Sequence, residues 1–141
     1  MVSRYMFDQR PIQLNEHIQW FARASNDPNR TLLIFERDGQ PKGHVNFTHK
    51  PGAIAEWGFY IAPDSEKGTG TQLTKSALKY AFQELRLHKV SAQVLAYNER
   101  SIRLHHKLHF QQEGILRSQH FDGNNYHNIH CFGLLASEWQ D

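Results

Sequence analysis

Gly68 and Gly70 stand one residue apart in the run Ser65-Glu66-Lys67-Gly68-Thr69-Gly70-Thr71, among a lysine and three hydroxyl side chains. An apolar run, 53–62, leads into this loop, and a helix-patterned run, 72–85, leaves it. Such a bend exposes backbone N–H groups at a helix N-terminus, where the helix dipole adds partial positive charge. The stretch therefore suits a phosphate or pyrophosphate. Two common nucleotide loops fail on single residues. A dinucleotide turn needs a third glycine where Leu73 stands, and a P-loop needs a lysine after a glycine, where Thr69 and Thr71 stand. His105 and His109 have the i, i+4 spacing of a metal pair. No third ligand and no zincin glutamate accompany them, so no metal is expected.

The elements that must position the loop follow from periodicity. A helix is expected from an Asn15 N-cap to about Ala24, with Ile18, Phe21 and Ala22 on one side. Three strands follow as a meander over 31–37, 40–48 and 53–62, the first two joined by an Asp38-Gly39 hairpin turn. In the third, Ile54, Glu56, Gly58 and Tyr60 share one face; Ala55, Trp57, Phe59 and Ile61 share the other. After the loop, Leu73, Ala77, Leu78, Ala81, Phe82 and Leu85 recur at helical spacing. A strand over 89–97, a second helix over 99–108 and a hairpin over 113–135 complete the chain. The strand–helix–strand crossover over 53–97 implies one parallel pair in an otherwise antiparallel sheet, an α+β fold in a single domain spanning 1–141.

Bulk composition narrows the partners. The formal charge of +2 is too small to argue for nucleic acid, and no apolar run approaches a membrane span. Cys131 is the only cysteine, which excludes an intramolecular disulfide and points to a reducing, cytoplasmic location. Exposed edge strands leave a homodimer open.

Three blocks together resemble the GCN5-related N-acetyltransferase superfamily. Ser65 to Gly70 matches the family's acetyl-CoA loop, Q/R-x-x-G-x-G/A, at both glycines but not at its first position. Residues 98–110, NERSIRLHHKLHF, follow the signature N-x-x-[SA]-I-x-[LF]-Y-x-K-x-G-F, with His105 in place of the tyrosine and His109 in place of the glycine. Residues 55–63, AEWGFYIAP, are similar to the family's fourth strand. A narrower likeness, carried by WGFYI, KGTG, ALKYAFQEL, HKV, VLAYNERSIRLHHKL and YHNIHCFGLL, is to the amino-sugar N-acetyltransferases of the pseudaminic acid pathway. Those act on the 4-amino group of a UDP-linked amino-dideoxy sugar. Against the family pattern, the usual first strand and first helix are expected to be missing ahead of 4–7.

The resemblance implies transfer of acetyl from acetyl-CoA to an amine. Lys67, Gly68, Thr69, Gly70 and Thr71 would hold the pyrophosphate. Tyr60, Ile61 and Ala62, on a strand splayed from its neighbour, would hold the pantetheine arm, with Asn98 and Ser101 also contacting the cofactor. Glu56 is the implied base, and His105 or Tyr97 the implied proton donor to the thiolate. Glu56 also fits a solvated strand carboxylate, His105 a packing residue, and Tyr97 a core aromatic. Arg4, Tyr5, His17, His49 and Trp57 are the expected acceptor contacts, with Trp20, His44 and Phe47 as further pocket candidates. A peptide or ribosomal-protein N-terminal acetyltransferase and a non-catalytic acyl-CoA-binding module are the alternatives.

Overall fold

The structure is a computed structural model. It describes residues 10–15, 18–24, 28–63 and 67–141, with side chains from 28 onward. Arg4, Tyr5, His17 and Ser65 lie outside the described residues, as does the Trp20 side chain.

Among the described residues, eight strands and two α-helices run in the order β1 (Arg10–Asn15), β2 (Ile18–Ala24), β3 (Arg30–Arg37), β4 (Gln40–Lys50), β5 (Ile54–Ile61), α1 (Thr69–Gln83), β6 (Lys89–Leu95), α2 (Glu99–Lys107), β7 (Gln111–Phe121) and β8 (Tyr126–Leu135). They form one sheet ordered β1-β2-β3-β4-β5-β6-β8-β7. Among the described strands, only β5 and β6 pair in parallel. This is the α+β architecture with the single crossover that the sequence implies.

The expected helix over 15–24 is a correction. That stretch is a β-hairpin, and β2 pairs with β3 along its whole length, from Ile18 opposite Arg37 to Ala24 opposite Thr31. Ile18, Trp20 and Phe21 suit a pleated strand, and a three-residue apolar pattern over so short a run does not distinguish the two periods. Strands therefore precede the meander, where the sequence pointed to a helix.

One face of the sheet is apolar and carries both helices. Leu33 and Phe35 of β3, Val45 and Phe47 of β4, and Ala55 and Trp57 of β5 are buried there, with Val90, Val94, Phe132 and Leu134 continuing it across β6 and β8. From α1, Leu73, Ala77, Leu78 and Ala81 pack onto this face, as their spacing predicts. Each large side chain so buried contributes about 1.5–3 kcal/mol. Arg37 Nη2 donates to Gln72 Oε1 at 2.7 Å, which ties the first turn of α1 to β3.

Candidate active site

The site begins where the sheet comes apart. β5 and β6 pair only at Ile54–Lys89, Ala55–Val90 and Glu56–Ser91. Beyond Glu56 the strands diverge, so β6 offers no backbone partner to 57–61. A wedge opens, with Glu56 and Ser91 at its apex and Tyr60 on its β5 wall. Because the strands are parallel, α1 and α2 both start at the wide end.

At that end the N-terminus of α1 is uncapped by any side chain. Its N-cap, Gly68, has φ of +89°, a left-handed conformation that a side chain would strain. At Gly70 the reason is space, because a Cβ there would stand 2.8 Å from Ile61 Cδ1. Thr69 is buried with its Oγ1 unpartnered. Lys107 reaches across from α2, its Nζ 3.5 Å from Thr71 Oγ1. Uncapped N–H groups, an orphan hydroxyl and a lysine converging on one turn make an anion site. These residues fit a pyrophosphate, and the unpaired edge of 57–61 fits an extended chain carrying amides. Lys107 was not assigned from the sequence; the lysine of the 98–110 signature was the available signal.

The other helix starts differently. Asn98 caps α2 through its own side chain, Oδ1 accepting from the Ser101 N–H at 3.2 Å. Ser101 gives its carbonyl oxygen to His105. Both residues are thus engaged in building α2 beside the wedge.

On the face away from the helices, β4 brings His44, Asn46 and Thr48 opposite Tyr60, Gly58 and Glu56. The His44 and Tyr60 rings stack at 5.9 Å, and His44 Nδ1 is buried without a partner. The Asn46 amide lies over the bare face of Gly58, 3.5 Å from where a Cβ would be. Asn46 had no motif to mark it, and only the register exposes its place. Glu56 shares this face, as predicted, and has no ion-pair partner among the described residues.

Expected roles are corrected at Trp57, His105, His49 and Phe47. Trp57 is not at an acceptor surface: it is 4% exposed, on the helix face, between Phe47, Phe59 and Phe110. His105 is 1% exposed and is not a proton donor to a leaving group. Its Nδ1 lies 2.7 Å from the Ser101 carbonyl oxygen, which only accepts, so Nδ1 carries the proton. Its Nε2 accepts from the Trp57 indole N–H at 3.1 Å. Burial against Phe59, Phe110 and Phe132 pushes its pKa below the ordinary 6.5 despite the Ser101 bond, and neighbouring His106 adds to the fall. With His105 so committed, it does not form a ligand pair with His109. His49 pairs with Ala55 on the helix side of β4, away from Glu56, and is bonded to Thr31 Oγ1 at 2.8 Å. Phe47, the further pocket candidate, is fully buried in the core.

Tyr97 is 55% exposed, so it is not a core aromatic. It lies past the end of β6, in the turn between Leu95 and α2, six residues beyond Ser91, the partner of Glu56. Glu56 stands at the apex of the wedge and Tyr97 at its wide end. Tyr97 instead meets the ring of His127, centroids 4.8 Å apart.

With this geometry in view, known proteins add a consistent match. Residues 1–111 fit the family profile described as Acetyltransferase (GNAT) domain. The SPbeta prophage-derived uncharacterized N-acetyltransferase YokL of Bacillus subtilis is 29% identical over 133 residues, covering 92% of this chain and 75% of that protein. Acetyltransferase PseH of Campylobacter jejuni is 28% identical over 109 residues, 77% of this chain and 68% of its own. A crystal structure of the spermidine/spermine N-acetyltransferase SpeG of Vibrio cholerae matches with a TM-score of 0.74 and 27% identity, covering 79% of this chain and 68% of that one.

Proposed function

Since the chain belongs to the GNAT acetyltransferase family and is an N-acetyltransferase, a family whose donor is acetyl-CoA, we propose that its acceptor is the amine of a nucleotide-linked amino sugar. The observation that carries this reading is the chemistry of the face beside the wedge. On β4, β5, β6 and β8 its described residues hold imidazoles, an amide, hydroxyls and a tyrosine, with Glu56 the one carboxylate. A polyamine calls for several anionic partners; of the carboxylates that β7 and its turn bring near the described part of this face, Glu113 is already paired with Lys89 and Asp122 with His127. The block likeness to the amino-sugar N-acetyltransferases and the match to PseH support the same choice.

In the proposed mechanism the chain binds, aligns and deprotonates. Backbone N–H groups of 69–71, with Lys67, Lys107 and Thr69, hold the pyrophosphate. The free edge of 57–61 holds the pantetheine arm, and an N–H there stabilises the oxyanion. Acetyl-CoA supplies an activated thioester carbon. Glu56 takes the proton from the acceptor nitrogen, directly or through one water, as the C–N bond forms. The C–S bond breaks, the sulfur leaves with its electron pair, and solvent protonates it.

A thiol-release assay tests the reading, with acetyl-CoA and a panel of UDP-amino sugars, N-terminal peptides and spermidine. Release with the UDP-amino sugars is expected. Release with peptides or spermidine alone sinks it.

A further inference from the structure

The β7–β8 hairpin brings Asp122 and His127 against Tyr97 at the outer rim of the wedge. Register places His127 on the Glu56 face: Ser91 pairs with Gly133, Gln93 with Cys131 and Leu95 with Ile129, and His127 continues that row. Asp122 Oδ1 accepts the backbone N–H groups of Asn124 and Asn125, both at 2.8 Å. Asp122 Oδ2 lies 2.7 Å from His127 Nε2. The Asn125 and Asn124 N–H groups, in that order, and then His127 hold the Asp122 carboxyl well below the usual carboxylate range. A carboxylate only accepts, so the proton of neutral His127 sits on Nε2, and Nδ1 keeps its lone pair. The Tyr97 ring stands beside it with one side open to solvent.

We propose that Tyr97 and His127, oriented by Asp122, form a recognition subsite for the base of the nucleotide, remote from the reacting amine. A pyrimidine imide N–H donates to His127 Nδ1, and the base lies on Tyr97. From Ser91, the partner of Glu56, to the end of β6 at Leu95 is ~13 Å at ~3.3 Å per residue, already more than a free sugar spans, and the rim lies past that end, which suits a sugar joined through two phosphates to a nucleoside. This rests on the nucleotide-sugar reading and extends it to named residues. The Asp122 turn alone explains a stable hairpin tip. It does not explain an oriented imidazole and an open tyrosine ring on the acceptor side.

The test uses the whole chain and UDP alone as probe, titrated by calorimetry into wild type, Tyr97→Leu, His127→Phe and His127→Asn. The first two variants are expected to weaken UDP binding roughly 10- to 100-fold, the scale of one lost stack or hydrogen bond. His127→Asn, which keeps an acceptor near the place of Nδ1, recovers most of it. Acetyl-CoA affinity and turnover of a free amino sugar stay at wild-type values in all three. Equal UDP affinity in wild type and variants overturns the subsite, as does a parallel loss of acetyl-CoA affinity. Wild type that acetylates UDP-amino sugars without binding UDP also overturns it and leaves the acetyl-transfer reading standing. Turnover confined to peptides or spermidine removes both.

Discussion

Replacing Trp57 by Phe takes away the indole N–H that His105 Nε2 accepts and leaves a buried nitrogen without a partner. That change is expected to cost about 1–3 kcal/mol, read as a lower denaturant midpoint at unchanged slope. Combining Trp57→Phe with His105→Phe removes both polar partners and is expected to restore part of the loss. His105 also links stability to pH. Its folded pKa lies below the unfolded 6.5, so below pH 6.5 the unfolded chain binds the extra proton. Stability is therefore whole above 6.5 and falls as the solution becomes more acidic, and His105→Phe flattens that part of the curve. Glu56→Gln belongs to chemistry instead. It is expected to lower kcat by ~10²–10⁴-fold with acetyl-CoA affinity unchanged in calorimetry. At this scale the face that Glu56 shares with Tyr60 could be read from strand alternation alone. His105 and Trp57 misled because their pairing joins residues 48 apart, and no local pattern reports a fit inside a cage of rings.

The turn into α1 is the element on which the proposed cofactor binding depends. Gly68→Val forces a β-branched residue to φ near +89° and is expected to abolish measurable acetyl-CoA binding while the far strands keep their fold. Lys107→Ala removes one charge from the anion site and is expected to weaken acetyl-CoA several-fold, more at low salt than at high. Both effects are read by calorimetric titration. This element was legible because its constraints are local: two glycines, a dipole and an apolar stripe that follow one another in the chain. Lys107 was less so, since its role depends on α2 returning beside α1. β2 was not, because its strand state is imposed by pairing with β3 rather than by its own period.

Across the whole molecule the sheet is two pieces. β1 to β5 form one antiparallel array, and β6, β8 and β7 form another. Three residue pairs join them, with α1 and the shared apolar face holding the seam from one side. The crossover predicted this arrangement from sequence, because a strand, a helix and a strand in that order leave little choice of hand or partner. How far the parallel pairing runs was beyond the sequence. Nothing in the residues after Glu56 forbids further ladder bonds, yet the pairing stops there.

That short seam makes the fold incomplete in a way that a bound chain can repair. An extended arm lying along 57–61 takes the place of a missing strand and splices the two arrays. The backbone amides of β5 beyond Glu56 that face the wedge rather than β4 are therefore a reporter of occupancy. In deuterium exchange they should trade rapidly in the free protein and slow sharply once acetyl-CoA is added, while those of β3 and β4 hardly change. The same splice should raise the melting temperature with ligand concentration, by about 2.7 kcal/mol of added stability at one hundred times Kd. The enzyme's grip on its donor would then be measurable as the stiffness of its own sheet, before any acceptor is found.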